Sequence, residues 1–166
     1  TASDIRFINY YQNNEQGLDH YLAKLEELQR QNSYRFGNHY LPHDANKREL
    51  ATGQTVVDVA RKAGFKFTVL DREKNVMDGI LRTKMMFPRL YIHAENCQPL
   101  TDALRNYRKE WDEELLKYKD IPVHDWSSHA SDMLRYTSMV ENKMINENED
   151  DGKLVWDSPN PDPYKR

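Results

Sequence analysis

With 166 residues, 31% of them charged and 38% hydrophobic, the chain is long enough for one packed core, and no apolar run approaches the roughly 20 residues that cross a bilayer. The single cysteine, Cys97, excludes an internal disulfide framework and a cysteine-based zinc site, and the six histidines form no HExxH pattern. The net charge of −3 does not mark a nucleic-acid binder, although the acid is concentrated in residues 141–151 and leaves a nearly neutral body. The single cysteine suits a reducing cytoplasm, and the opening residues lack the apolar region of a signal peptide.

Residues 5–11 (IRFINYY) are β-branched and aromatic and predict a strand covered on both faces. Leu18, Tyr21, Leu22, Leu25 and Leu28 then recur at helical spacing, giving an amphipathic helix over 18–29 with a core stripe. Residues 34–41 read as a second strand, interrupted by Gly37 and closed by Pro42. Thr55 is placed to cap a short helix through Ala63, with Gly64 ending it. Alternation over 65–70 (FKFTVL) gives a third strand. A helix over 74–87 follows, with Val76, Ile80, Leu81, Lys84 and Met85 near one face and Gly79 weakening it. A short strand at 90–93 and a helix at 99–106, carrying Leu100, Ala103 and Leu104, come next. Residues 107–112 and 115–119 form a β-ribbon, and a last helix starts near 127, with Ser127 and Ser128 as cap candidates. On it Ala130, Met133, Leu134, Thr137 and Val140 would face a core, beside a stripe of His129, Asp132 and Tyr136. From about 146 the chain turns acidic and then Pro-rich, which predicts an extended or disordered tail in which Trp156 could anchor a part. Strands alternating with helices give an α/β fold built on a central sheet.

Two carboxylates stand out. Asp44, in HYLPHDA, sits where a strand ends, and Asp132 lies beside the apolar stripe of the last helix. A carboxylate there is costly to bury without a partner, so Asp132 either makes a hydrogen bond or surface pair, or ligates a metal at the rim of a core. Hard oxygen ligands of this kind suit Mg2+ or Mn2+. Lys47 and Arg48 follow Asp44 closely enough to meet a scissile phosphate, or form an ordinary exposed loop pair. Arg61 with Lys62, and Arg105 with Arg108 and Lys109, carry the same ambiguity.

Taken together, RFINYYQ, HYLPHDA, the GxxVxDVARKAG segment, RNYRKEWDE and HDWSSHASDMLRY resemble, in order over residues 5–140, the nuclease domain of tailed-bacteriophage terminase large subunits. The resemblance implies an RNase H-like nuclease fold, with a central mixed sheet and flanking helices, over residues 1–145, followed by the tail at 146–166. It implies a divalent-metal-dependent DNA endonuclease that cuts concatemeric double-stranded DNA during genome packaging in the cytoplasm of a bacterial host. Two Mg2+ or Mn2+ ions would be held by an acidic cluster. The partners it implies are double-stranded DNA, the phage portal and the small terminase subunit, with no membrane.

By resemblance Asp44 is the second acidic ligand of the family and Asp132 the acid that opens its last helix, where relatives carry ADA(L/F)RY. Ser131 and Met133 depart mildly from that pattern. His129 falls at a recurring histidine and would orient a ligand. Asp125 is a rival for Asp132, but its position before the helix suits capping.

The family's first acidic ligand belongs to a strand before the one that opens this sequence, and Asp4 is too early to replace it. No GxxxxGK[ST] phosphate loop of a packaging ATPase occurs either. The resemblance therefore implies a fragment, from a larger protein or a truncated prophage gene. Such a fragment would be weakly active alone, with a sheet edge open to self-association. Two alternatives follow: an incomplete fragment that only binds DNA or the portal, and an unrelated metal-dependent enzyme of similar architecture.

Overall fold

The computed structural model describes residues 4–50 and 52–144, and the expected tail at 146–166 lies outside them. These residues form a mixed α/β protein in two compact units, residues 11–76 and residues 4–10 with 77–144. The strands pair two by two in three two-stranded sheets rather than in the one central sheet the alternation suggested. No helix among the described residues is long and apolar enough to cross a membrane.

In the unit of residues 11–76, α1 (Leu18–Asn32) buries Leu22, with Leu18, Tyr21, Leu25 and Leu28 half-buried on the expected face. It runs beyond residue 29 and stops where Ser33 turns left-handed at φ 55°. Strands β2 (His39–Leu41) and β3 (Phe67–Val69) pair in parallel, with His39 opposite Phe67 and Leu41 opposite Val69. Between them, α2 (Val56–Lys62) begins with a complete capping box. The Thr55 hydroxyl accepts from the Asp58 amide at 3.0 Å, and the Asp58 carboxylate accepts from the Thr55 amide at 3.2 Å.

The end of α2 explains why β3 is shorter than the alternation over 65–70 suggests. Gly64, at φ 89°, donates to the Arg61 carbonyl at 3.1 Å, and Phe65 reaches back to the Ala60 carbonyl at 2.9 Å. This is a Schellman closure, so the Phe65 amide serves the helix and not the strand ladder. Among the described residues, Leu22, Ala45, Ala60 and Leu70 are the buried apolar side chains of this unit.

In the other unit, β1 (Ile5–Phe7) pairs in parallel with β4 (Leu90–Ile92). The ladder ends where His93 donates to the Phe7 carbonyl at 2.9 Å. Beyond it, the Tyr10 N–H donates to the Asn96 carbonyl, and Nδ2 of the Asn96 side chain donates to the Ile8 carbonyl. Residues 8–10 are thus tied to a turn, and the strand expected to reach residue 11 stops at Phe7. The core packs α4 (Gln98–Asn106) against α5 (Trp126–Ser138), with Leu100 and Ala103 meeting Ala130 and Leu134. The alanines on both helices let the backbones come close.

Helix α3 (Val76–Met86) corrects the expected helix face. Leu81 and Met85 are 61% and 72% exposed, whereas Gly79, Thr83 and Met86 are buried. The hydroxyl of Thr83 donates to the Gly79 carbonyl at 2.9 Å, which allows a polar side chain to lie on the inner stripe. Gly79 is therefore part of the packed face rather than only a weak point.

The ribbon forms as expected, from β5 (Lys109–Asp112) and β6 (Lys117–Pro122), with Trp111 edge-on to Tyr118 at 5.0 Å. Its turn is set by Asp112, whose carboxylate accepts from the amides of Glu114 and Leu115.

Candidate functional site

Asp44 belongs to a short 3-10 turn, His43–Asn46, entered through Pro42 at the end of β2. Ala45 is buried and pins the turn, so the neighbouring Asp44 side chain is left exposed. Its carboxylate has no hydrogen bond or ion pair among the described residues, and the Lys47 amide closes the turn on the Asp44 carbonyl at 2.9 Å. Lys47 is exposed and carries no side-chain partner among the described residues. Arg48 is used differently: its guanidinium donates to the Gly53 carbonyl at 2.8 Å while its backbone bridges Thr55. One nitrogen of that guanidinium closes a loop, and the residue is otherwise exposed.

Asp132 stands on α5, in the other unit. Its Oδ1 accepts from Nη2 of Arg135 at 2.8 Å, one turn along the helix. The Asp132 side chain is 42% exposed, but that of Arg135 is only 11% exposed. The guanidinium also lies 5.9 Å from the Tyr136 ring, and its Nε is buried with no partner among the described residues. Asp132 therefore compensates a buried cation with one oxygen, on a side chain that is itself part-exposed. Its negative charge reaches Tyr107, whose hydroxyl is pushed up first by burial and then by Asp132.

His129 is exposed one turn before Asp132, its ring edge-on to His124 at 5.9 Å. His124 bonds the Ser128 hydroxyl at 3.1 Å. The helix cap is Asp125, as its position before the helix suggested, and not Ser127 or Ser128. Its Oδ1 accepts from the Ser127 amide at 2.9 Å, and Oδ2 pairs with Arg108 at 3.1 Å. The bonds from the Ser127 hydroxyl and amide, reinforced by Arg108, hold the Asp125 carboxyl below the usual range. Ser127 and Ser128 are instead the second and third helical residues, both buried with their hydroxyls turned back toward Asp125. With its oxygens so occupied, Asp125 is a structural carboxylate.

The expected site residues thus fall into two sets. His129 and Asp132 share a stretch of α5, while Asp44, Lys47 and Arg48 follow β2 in the other unit. Among the described residues, no group of three or more His, Cys, Asp or Glu side chains is gathered to hold a metal ion. Asp44 and Asp132 each suit a hard cation as a single ligand.

Arg135 was not among the residues singled out from the sequence. The signal available was its i+3 spacing from Asp132, within a run otherwise occupied by core residues. The chain matches no protein-family model, no curated protein and no solved structure.

Proposed function

We propose that this chain is part of the nuclease domain of a tailed-phage terminase large subunit, a divalent-metal-dependent endonuclease acting on double-stranded DNA in the bacterial cytoplasm. The supporting observation is a pair of accessible carboxylates in the ordered motifs: Asp44, unpaired after a parallel strand, and Asp132, half-open on the last helix. The architecture shares with an RNase H-like domain only the mixed α/β class, since its strands pair two by two rather than in one central sheet. In the complete domain, Mg2+ or Mn2+ ions would stabilise the charge of an in-line phosphoryl displacement. Asp44 and Asp132 would each contribute a ligand oxygen, Arg135 would hold Asp132 in position, and His129 would orient a neighbouring group. Lys47 and Arg48 would contact DNA phosphates. Portal, small subunit and a second copy of the chain are the protein partners of this reading.

A second reading has its own support. Arg135 already occupies one oxygen of Asp132, and no third ligand is gathered near either carboxylate among the described residues. Both features suit a catalytically incomplete module that binds DNA or the portal.

Plasmid nicking separates the two. The test uses the chain extended N-terminally through the family's first acidic strand, with Mn2+ supplied. Nicking that disappears in Asp44→Asn and Asp132→Asn supports the nuclease. An extended protein that binds DNA without metal and never nicks it would sink that reading in favour of the binding module.

A further inference from the structure

We propose that a groove at the N-terminal ends of β2 and β3 binds an unstacked nucleotide, its base against the rings of Phe36 and Phe65 and its phosphate at Lys66. The groove lies wholly within residues 11–76 and encloses about 490 Å3, within the range of roughly 300–1,000 Å3 usual for small-ligand sites. It opens at the opposite end of β2 from Asp44, and the inference does not depend on the nuclease reading.

The apolar wall is preformed. His39 is packed among three phenylalanines, with ring centroids 5.3 Å from Phe36, 6.0 Å from Phe65 and 5.2 Å from Phe67. Phe65 and Phe67 stack at 6.2 Å with an interplanar angle of 26°. Phe36 and Phe65 are half-buried, so each is held by its neighbours and still reaches the groove. A planar base on such a ring gains roughly tenfold or more in affinity, whatever its sequence.

The polar groups identify the occupant. Gln29 and Asn38 bring side-chain amides that have no partner among the described residues, and each can donate and accept at a base edge. Lys66 is exposed and unpaired among the described residues, and Arg35 adds an exposed cation beside Phe36; Glu26 is the one carboxylate of the lining. An aliphatic or aromatic peptide side chain would use the rings but leave the amides and the ammonium unanswered. A nucleotide uses all three. At Gly37 and Gly64 an added Cβ would meet nothing within 4 Å, so the wall leaves room for a ring.

The test is fluorescence polarisation of labelled ten-nucleotide oligothymidylate on the full chain, in EDTA so that no metal site contributes. Three variants are compared: Phe65→Ala, Lys66→Glu and Gly37→Leu. About tenfold weakening is expected in each. Lys66 and Gly37 are exposed, so their variants carry the test even if Phe65→Ala disturbs the aromatic cluster. Competition by unlabelled oligothymidylate and oligouridylate distinguishes DNA from RNA as the source of the nucleotide; competition by either supports the site. Wild-type affinity in both Lys66→Glu and Gly37→Leu would overturn the proposal, as would equal competition by a blunt duplex or no binding at all.

Discussion

Nη2 of Arg135 lies 2.8 Å from Oδ1 of Asp132, and the two partners differ in exposure: the arginine side chain is only 11% exposed while the aspartate is 42% exposed. The guanidinium has been desolvated at a cost that one half-exposed carboxylate offsets only in part, and its Nε has no partner among the described residues. Removing the aspartate strands a buried cation, whereas removing the arginine removes the cost with it. Asp132→Ala is expected to destabilise by about 1–2 kcal/mol, and Arg135→Met to stay within about 1 kcal/mol of the parent. The double variant should resemble Arg135→Met. Urea midpoints of the four proteins check this, and a double variant as unstable as Asp132→Ala would contradict it. The same asymmetry makes Asp132→Asn the better variant for activity, because the amide oxygen still accepts from Arg135.

Asp125 links the ribbon to the start of α5 through Arg108 and Ser127. Its folded carboxyl is held below the usual value, so its contribution to stability is complete above about pH 4 and is lost as pH falls through the lower folded value. Asp125→Ala should therefore lower the melting temperature at pH 7 and differ progressively less from the parent in acid. A gap between the two proteins that stays constant from pH 7 to pH 2 would exclude this role.

Met85 and Met86 are adjacent in sequence and opposite in burial, at 72% and 1% exposure. Met86→Ala should cost about 2–4 kcal/mol, through lost transfer energy and an unfilled cavity, whereas Met85→Ala should change stability by less than about 0.5 kcal/mol. Chemical denaturation of both variants checks which face of α3 is inside.

His39 is expected to remain neutral in the folded protein, since burial among the phenylalanines pushes its imidazole pKa down. A histidine depressed in this way gives its full stability above about pH 6.5 and loses it as the pH falls from there toward the folded value. His39→Phe should reduce the loss of stability between pH 7 and pH 5. Thermal melts at the two pH values measure it.

The sequence was most legible where a local rule acts alone. Thr55 and Gly64 bound α2 through bonds within a few residues, as expected, and Asp58 completes the cap in a way the sequence reading did not single out. The ribbon between Lys109 and Pro122 was legible for the same reason, although its alternation gave no measure of where pairing stops. The parallel strands were overdrawn because their limits are set by distant competitors, such as the Ala60 carbonyl for Phe65 and the Asn96 turn for residues 8–10.

The face of α3 was misjudged because hydropathy favours Leu81 and Met85, whereas the packed stripe of Gly79, Thr83 and Met86 is chosen for size and a satisfied hydroxyl. At the candidate site, the two carboxylates were visible from their positions beside structural signals. Arg135 was not, because a cation next to Leu134 reads as solvent-facing until its tertiary surroundings are known.

The chain's single thiol, that of Cys97, is fully enclosed, with Sγ 3.4 Å from the Phe7 carbonyl, and burial raises its pKa. It is thus poorly nucleophilic and out of reach of reagents while β1 and α4 stay closed over it. That makes it an internal clock. The rate at which a thiol reagent labels the untouched native protein counts how often this part of the core opens, with no engineered probe and no second cysteine to confuse the signal.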